Sequence, residues 1–362
     1  MPSERILRVG IVGLGHLHPR LYMPLFGAVG RTKVVAVAEA DKALRDAFCA
    51  DFAVKGYESV AGMLSAEKLD IAAIFLPHAD CPAAAEACAR AGVHLMVEKP
   101  MAASAQGAER IVKAATAHAV KLTTGYCWRM HPAARELKRL VRSGVVGRVI
   151  GAEGRCAAGR LQRYIDGKAS WMLQRARSGG GPMYNLGVHW IDLFRWMFEE
   201  DVVEASGENV KVNTQYDIED NSFALLRFSG GPSAGLRAGA IVALSISYTV
   251  PDAFPYGRDL YISVRGTQGV ISWAPAYEGE KDVLFVCSDH PDFRGSPKRL
   301  SFELPPVKGY SGMMGLEYVK DFADAVLTNR PPAISGEDGV AALRVVEAVY
   351  RSAQEKRWVK VG

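Results

Sequence analysis

Short apolar runs alternate with helical segments in the first third of the chain. The runs, unbroken and rich in β-branched residues, fall at Val9–Val12, Val34–Ala38, Ile71–Leu76 and Val93–Val97. Such runs are typical of strands that are buried on both faces, and strands that alternate with helices form parallel sheets with right-handed crossovers. The first third therefore predicts a doubly wound α/β domain.

Capping residues mark the helices between these runs. In "DCPAAAEACARAG", Asp80 suits the N-cap, Pro82 the first turn and Gly92 the position after the helix. In "SAQGAERIVKAATAHA", Ser104 suits the N-cap.

The periodicity changes after about Gly125. "PAARELKRLVRSG" and Met183 to Phe198 are predicted helices. Strand-like segments follow the first of these and suggest a largely antiparallel sheet: "RVIGAEGRC", "NSFALLRFSG", "AIVALSISYTV", "DLYISVRGTQGVISW" and "DVLFVCS". We predict a nucleotide-binding domain over residues 1–126 and an α+β domain over 127–362, with a large, mostly antiparallel open sheet. The sequence leaves open on which of the two domains the helical terminal segments pack.

Composition excludes several classes of partner. The formal net charge is +5, without a run of five or six like charges, so nucleic acid is not expected as a partner. The first ten residues lack the apolar region of a signal peptide, and no apolar stretch is long enough to cross a bilayer. The six cysteines are scattered without C-x-x-C spacing, which favours reduced thiols in a cytoplasmic protein.

A glycine-rich turn follows the first predicted strand. Gly13 allows a tight turn, and Gly15 lets a pyrophosphate approach the backbone, with a helix N-terminus behind it from about Pro19. Leu14 and Leu17 belong to the same loop. The G-x-G-x-x-G fingerprint of such turns is incomplete, because His18 occupies the position of its third small residue.

Glu39, at the end of the second predicted strand, is suited to accept hydrogen bonds from ribose hydroxyls. Its charge would repel a 2′-phosphate, and Ala40 follows it without an Arg or Lys. The sequence therefore favours NAD over NADP. The alternative is that Glu39 is a surface loop residue.

His16 and His18 raise the question of a metal. The H-x-H pair lies on a turn without a companion Cys or Asp, so no metal site is predicted. Instead, His16 is expected to border the cleft and His18 to pack between helix and strand.

Two further motifs carry chemistry. In "VEKPM", Glu98, Lys99 and Pro100 follow a buried strand, at the sheet edge where α/β folds bind ligands. In "SGGGPMYNLGVHWIDLFRWM", Asn185, His189 and Asp192 share one helical face. Histidine is the natural proton acceptor near neutral pH. The alternative for Lys99 is a surface lysine in a turn. The alternative for His189 is a core histidine whose hydrogen bonds are satisfied.

These motifs together resemble the Gfo/Idh/MocA family of NAD(P)-dependent oxidoreductases, the relatives of glucose–fructose oxidoreductase and inositol dehydrogenase. "EKP", "GGGPMYNLGVHWIDLFRW", "GYCWRMHPAARELKRLVRSGVVGRV" and the C-terminal "EYVKDFADAVLTNRPPAISGEDGVAALRVVEAVYRSA" carry the resemblance over nearly the whole length. It implies an N-terminal Rossmann domain, a second domain whose open sheet often forms oligomer contacts, and hydride transfer between a sugar-like carbinol and nicotinamide.

The resemblance also implies roles for residues. Lys99 matches the catalytic lysine and His189 the general acid/base, while Asn185 stands where the family usually has Asp. We expect Asn185 to position a substrate hydroxyl while Lys99 and His189 handle the proton. "LPHADC" matches a segment near the nicotinamide ribose. The cofactor set is then Gly13, Leu14, Gly15, His16, Leu17, Glu39, Leu76, Pro77, His78, Cys81, Glu98, Lys99 and Pro100.

Substrate contacts are expected from aromatic, cationic and polar side chains near these motifs: Trp128, Arg129, His131, Trp171, Arg175, Asn185 and Asp192. The leading interpretation is an NAD-dependent dehydrogenase that oxidises a secondary alcohol of a sugar, glycoside, inositol or sugar acid. The alternatives are a redox-neutral enzyme with retained NAD, as in glycoside cleavage, and a non-catalytic NAD-binding regulator. A homo-oligomer is expected.

Overall fold

The computed structural model describes residues 5–230, 239–251, 253–254, 257–276 and 281–362. The chain forms two compact units, each built from separate stretches. The first comprises Met1–Cys127, Tyr164–Gly179 and Val307–Val340, and the second comprises Trp128–Arg163, Gly180–Pro306 and Ala341–Gly362.

The first unit contains a six-stranded sheet in which all strands are parallel. Its spatial order is β3-β2-β1-β4-β5-β6, the order of dinucleotide-binding sheets. The strands are β1 (Leu7–Val12), β2 (Thr32–Ala38), β3 (Lys55–Tyr57), β4 (Ile71–Ile74), β5 (His94–Val97) and β6 (Leu122–Thr124). The predicted α/β domain with a parallel sheet is confirmed.

Helices connect these strands and end where the local sequence stops them. They are α1 (Pro19–Ala28), α2 (Lys42–Phe52), α3 (Val60–Ala66), α4 (Cys81–Arg90) and α5 (Ala105–Ala117). Ser104 caps α5 as predicted, because its hydroxyl accepts a hydrogen bond from the Gly107 N–H at 3.1 Å. Asp80 occupies the N-cap of α4 with αR backbone angles and makes no side-chain capping hydrogen bond. The predicted N-cap position is therefore confirmed, although the Asp80 carboxylate does not form the hydrogen bond that such a residue usually makes.

Later stretches complete the first unit. They contribute a 3-10 helix (Ser170–Leu173), the short helix α8 (Arg175–Ser178) and helix α10 (Gly312–Thr328). Helix α7 (Gln162–Asp166) and helix α11 (Gly336–Glu355) each continue from one unit into the other.

The second unit contains a nine-stranded sheet in the order β14-β13-β12-β11-β7-β10-β9-β8-β15. Among the described strands of this sheet, only β7 and β10 pair in parallel. The sheet is therefore mixed and mostly antiparallel, as predicted. The strands are β7 (Val149–Ala158), β8 (Val202–Val210), β9 (Asn221–Phe228), β10 (Ile241–Ser247), β11 (Arg258–Gly266), β12 (Gly269–Trp273), β13 (Asp282–Ser288), β14 (Lys298–Phe302) and β15 (Val359–Lys360).

Helix α6 (Pro132–Arg142) and helix α9 (Val188–Phe198) belong to the second unit. A π-helix (Met183–Gly187) precedes α9 directly, and Trp190 and Phe194 of α9 are buried. A Cβ atom on Gly154 of β7 would lie only 2.3 Å from Trp190, so the sheet has a glycine where the helix packs closest. No helix of the described residues is both long and apolar enough to span a membrane.

Candidate active site

The loop after β1 makes the turn that its glycines predict. Gly13 has φ = +85°, and a Cβ atom there would lie 2.7 Å from Leu76 and 3.0 Å from the Phe75 carbonyl oxygen. A Cβ atom on Gly15 would meet no described atom within 4 Å. The loop therefore leaves its backbone uncovered just before the N-terminus of α1, an arrangement that suits a phosphate.

The carboxylate of Glu39 faces this loop from the end of β2. Its Oε2 accepts a hydrogen bond from the Leu14 N–H at 2.7 Å, and its Oε1 accepts one from the Asp41 N–H at 2.9 Å. A carboxylate has about four acceptor positions, so about two remain for hydroxyl donors.

Sequence reasoning missed a cation beside Glu39. The Arg45 guanidinium donates to the carbonyl oxygen of Glu39 at 2.6 Å and to that of Ala40 at 3.3 Å. Arg45 lies on α2, and only the packing of this helix brings its side chain back to the strand end. The corresponding sequence signal is an arginine on the helix that follows Glu39. Arg45 is not adjacent to Glu39 in the sequence but lies six positions after it.

His18 occupies the third fingerprint position by stacking on aromatic neighbours. Its ring centroid lies 3.9 Å from that of Tyr310 and 4.4 Å from that of His16. Its backbone N–H donates to His16 Nδ1 at 3.1 Å. Both histidines are buried, and Leu17 between them is partly exposed. Burial, and next the adjacent His18, hold the pKa of His16 well below its ordinary value, which keeps this ring neutral.

Glu98 meets this pair of histidines. Glu98 Oε1 lies 3.4 Å from His18 Nδ1, and one ligand-type atom from each of the three residues lies within 4.8 Å of the others. The turn itself holds no companion Cys or Asp for these histidines. The fold supplies a Glu from the end of a different strand, β5.

Trp171 and His78 lie beside the same loop. Trp171 Nε1 donates to the Gly15 carbonyl oxygen at 2.7 Å, and its ring meets that of His78 edge-on at 4.9 Å. His78 Nδ1 lies 2.8 Å from the Ser178 carbonyl oxygen, so this nitrogen carries the proton. Nε2 is left as an acceptor, and it has no hydrogen-bond partner among the described residues. Burial lowers the pKa of His78 to about 4, so the ring is neutral at physiological pH.

The segment between β4 and α4 is closely packed. Leu76 is partly exposed and Pro77 is buried. Cys81 Sγ donates to the carbonyl oxygens of these two residues at 3.5 and 3.6 Å. Burial raises the pKa of the Cys81 thiol, which stays protonated.

Lys99 is buried at the carboxyl edge of the parallel sheet. It follows β5 directly and is 3% exposed, while the preceding Glu98 is 4% exposed. The peptide bond from Lys99 to Pro100 is cis. Lysines are almost never buried to this degree without a specific partner or function.

The second unit carries Asn185 and His189. Asn185 lies in the π-helix and His189 in the first turn of α9, and the two side chains are 6% and 5% exposed. π-helical turns are rare and frequently occur at functional sites. The predicted helix from Met183 to Phe198 is thus present, with a wider first turn than the sequence indicated.

A buried cradle of hydrogen bonds, which sequence reasoning missed, holds the start of this π-helix. The Gly181 N–H donates to Glu219 Oε1 at 3.0 Å and to the Tyr350 hydroxyl at 3.1 Å, and that hydroxyl donates to the same carboxylate oxygen. A Cβ atom on Gly181 would lie 2.0 Å from the Glu219 carbonyl oxygen, which explains why glycine stands there. Burial and the Glu219 carboxylate raise the pKa of Tyr350 well above its ordinary value.

Arg129 and Asp192 form a buried ion pair. Arg129 Nε donates to Asp192 Oδ2 at 2.8 Å, and Arg129 Nη2 donates to Oδ1. Arg129 is 6% exposed and Asp192 is 1% exposed. Each of these predicted substrate contacts therefore has the other as a partner, and their role toward a substrate stays a prediction.

The remaining predicted substrate contacts lie in different surroundings. His131 caps α6 through Nδ1, and its Nε2 lies 3.1 Å from Asp282, so both ring nitrogens are engaged. Trp128 packs edge-on against Trp190 at 5.2 Å and is partly exposed. Arg175 begins α8 and is exposed.

Comparisons with known proteins identify the family of this chain. Residues 7–126 match the model of the oxidoreductase family with an NAD-binding Rossmann fold, and residues 134–272 match that of the GFO/IDH/MocA C-terminal domain. The chain belongs to the Gfo/Idh/MocA family. The resemblance inferred from the motifs is thereby confirmed.

Relatives within this family act on sugars and polyols. The chain is 25% identical to D-xylose 1-dehydrogenase [NADP(+)] of Haloarcula marismortui, over 99% of this chain and 94% of the relative. It is 28% identical to myo-inositol 2-dehydrogenase of Thermotoga maritima, over 76% of this chain and 75% of the relative. Among solved structures, aldose-aldose oxidoreductase from Caulobacter crescentus, in complex with glycerol, matches with a TM-score of 0.80 and 25% identity, over 98% of this chain and 100% of that one.

The residues of the first unit fit the dinucleotide that binds to this family's Rossmann fold. Gly15 leaves backbone uncovered for a pyrophosphate, and Glu39 retains acceptor capacity for ribose hydroxyls. His78 Nε2 is a buried acceptor to which no described residue donates a hydrogen bond. A hydroxyl of a bound dinucleotide is a donor of the required kind.

Proposed function

We propose that the protein is an NAD-dependent dehydrogenase that oxidises a secondary alcohol of a sugar, glycoside, inositol or sugar acid. The burial of Lys99 at the carboxyl edge of the dinucleotide-binding sheet carries this proposal. A cationic ammonium is costly to bury, and such a cost is usual where a charge takes part in chemistry. The sugar and polyol dehydrogenases among its relatives support the substrate class.

Three side chains handle the substrate hydroxyl in this proposal. The Lys99 ammonium holds the hydroxyl oxygen and favours its negative charge as the proton leaves. The His189 imidazole accepts that proton as general base. The Asn185 amide hydrogen-bonds a hydroxyl and fixes the orientation of the ring, but cannot take a proton. A bound nicotinamide would supply the hydride acceptor for this reaction.

NAD is the proposed cofactor because of Glu39. Its carboxylate accepts a hydrogen bond from the Leu14 N–H of the G-x-G loop. The negative charge of this carboxylate would repel the 2′-phosphate of NADP. Arg45, the cation beside this carboxylate, donates through Nη1 alone to the carbonyl oxygens of Glu39 and Ala40. Membership of the family does not by itself decide between NAD and NADP, because the D-xylose 1-dehydrogenase [NADP(+)] of Haloarcula marismortui is named for NADP(+).

The decisive experiment is a panel of sugars, polyols, glycosides and sugar acids with NAD and with NADP. Turnover is followed by the absorbance of the reduced nicotinamide. We expect oxidation of at least one member of the panel, with NAD preferred. A clear preference for NADP would contradict the argument from Glu39. Tight NAD binding without turnover on any substrate would contradict the dehydrogenase.

The second candidate is a redox-neutral enzyme that keeps its NAD bound. The match to an enzyme named aldose-aldose oxidoreductase favours it, because that name describes one sugar oxidised and another reduced. Conversion of a sugar mixture by cofactor-loaded protein, without net reduction of added NAD, would identify this class.

A further inference from the structure

The loop of the first unit carries two histidines that the proposed chemistry does not use. His16 is 4% exposed and His18 is 8% exposed, and Glu98, which meets them, is 4% exposed. Two imidazoles and a carboxylate have been brought together out of water from two separate strand ends. Burying such groups is costly unless something satisfies them.

Glu98 and His16 have polar atoms that no hydrogen bond satisfies among the described residues. Among the described residues, neither carboxylate oxygen of Glu98 has a hydrogen-bond partner, and neither does His16 Nε2. The Nδ1 atom of His16 accepts from the His18 N–H, so Nε2 is the ring nitrogen left for another partner. An ion there would displace the proton that the neutral ring keeps on Nε2.

The spacing suits a shared ion better than a direct hydrogen bond. Zinc binds nitrogen and oxygen at about 2.0–2.2 Å, so tetrahedral ligand atoms lie about 3.4 Å apart. The distance from His18 Nδ1 to Glu98 Oε1 is 3.4 Å. The widest separation in the group is within 4.8 Å, so a side chain would have to move by about 1 Å or a little more to bind.

We propose that His16, His18 and Glu98 form a binding site for a divalent transition-metal ion, with Zn²⁺ the best match. Two imidazoles and one carboxylate are borderline ligands that select Zn²⁺, Co²⁺ or Ni²⁺ over Mg²⁺ and Ca²⁺, which prefer all-oxygen sites. Three protein ligands leave a fourth position open for water. The Glu98 charge offsets the nearby Lys99 ammonium, whose field reaches His16.

The test uses the cofactor-free chain of residues 1–362 and measures metal binding directly, so it does not depend on the proposed dehydrogenase activity. Every protein carries Cys287→Ser, because Cys287 is exposed and an exposed thiolate is itself a metal ligand. Zn²⁺ is titrated in competition with a chelating dye, and Co²⁺ is followed by its visible absorption. His18→Asn and Glu98→Gln remove ligands, while His118→Ala removes an exposed histidine as the matched control.

We expect about one Zn²⁺ per chain in the parent and in His118→Ala, with a tetrahedral Co²⁺ spectrum that lacks a thiolate band. The two ligand variants should bind at least about a hundredfold more weakly, since even altering the supporting shell of a metal site costs 10–100-fold. Thermal unfolding checks that the variants fold, and either of the two is sufficient for the test. Failure of the parent to bind Zn²⁺, or equal binding by parent and ligand variants, would overturn the proposal.

Discussion

At the scale of single residues, the proposed function gives different tasks to two residues four positions apart, Asn185 and His189. Both are buried in the second unit, one in a π-helical turn and one in the α-helix that continues it. The family pattern has an aspartate at the position of Asn185. An amide keeps the hydrogen bond but not the charge, so proton transfer is left to the imidazole.

Kinetics of two alanine variants test this division. His189→Ala should lower kcat at least about a hundredfold with little change in KM, because it removes the proton acceptor. Asn185→Ala should raise KM about tenfold with a smaller change in kcat, which corresponds to the loss of one hydrogen bond in substrate binding. The reverse pattern would contradict the assignment. Unfolding curves of both variants serve as the control for folding.

His78 makes the stability of the first unit depend on pH. Its pKa is about 4 in the folded protein and about 6.5 in an unfolded chain, so between these values the unfolded chain binds more protons. Its contribution to the free energy of unfolding is therefore complete above pH 6.5 and is lost as the pH falls towards 4.

Replacing His78 by Asn should remove this contribution. Between pH 7.5 and pH 5, wild type should lose about 2 kcal/mol more unfolding free energy than His78→Asn. Urea unfolding at both pH values measures the difference. His118→Asn, which changes an exposed histidine, is the control and should behave like wild type. Equal pH dependence in wild type and His78→Asn would show that this residue is not the source.

At the scale of elements, the glycine run before the π-helix depends on residues that come much later in the chain. Glu219 precedes β9 and Tyr350 lies on α11, and both meet the Gly181 N–H. We expect these two side chains to position Asn185 through the start of the π-helix.

Tyr350→Phe should expose this role. Without the hydroxyl, the buried Glu219 carboxylate loses a donor, so the free energy of unfolding should fall by about 1–3 kcal/mol. Displacement of the π-helix should raise KM more than it lowers kcat, as for Asn185→Ala. Tyr57→Phe is the matched control, because the Tyr57 hydroxyl also donates to a carboxylate oxygen, Glu67 Oε1, at 2.8 Å. Tyr57 lies on β3, a strand without predicted site residues. Loss of stability with unchanged KM would reduce the cradle to a structural role.

Local patterns were sufficient to predict most elements. The buried strands β1, β2, β4 and β5 are continuous apolar runs, and a run of that kind has few alternatives. β3 escaped prediction because its three residues are largely exposed. The π-helix escaped because i→i+5 bonding leaves no separate mark in the apolar periodicity.

The site was less predictable than the fold for a related reason. Lys99, His189 and Glu39 stand in recognisable local motifs, so the sequence singled them out. Tyr310 stacks on His18, and Arg45 returns to the end of β2, through contacts between residues separated along the chain. A single sequence without packing information does not encode such contacts in any local pattern.

At the scale of the whole molecule, the nine-stranded sheet of the second unit has an exposed apolar face. On β9, Phe223 and Leu225 are 45% and 43% exposed, while the residues that alternate with them are buried. Phe223 and Leu225 also help to line a groove of about 770 Å³. Neighbouring exposed apolar side chains on an open sheet favour an interaction site.

We expect this face to bury itself against a second copy of the chain, the homo-oligomer predicted from the family resemblance. The double variant Phe223→Glu, Leu225→Glu would place carboxylates in the contact, where the cost of burying an unpaired charge is several kcal/mol. Light scattering coupled to gel filtration should give the mass of two or more chains for wild type and of one chain for the double variant. Val212→Glu, which alters an exposed valine of the same unit, should keep the wild-type mass. A monomeric wild type would contradict this expectation. A double variant that keeps the wild-type mass would exclude this face as the contact, because two buried carboxylates weaken such an interface at least about a hundredfold.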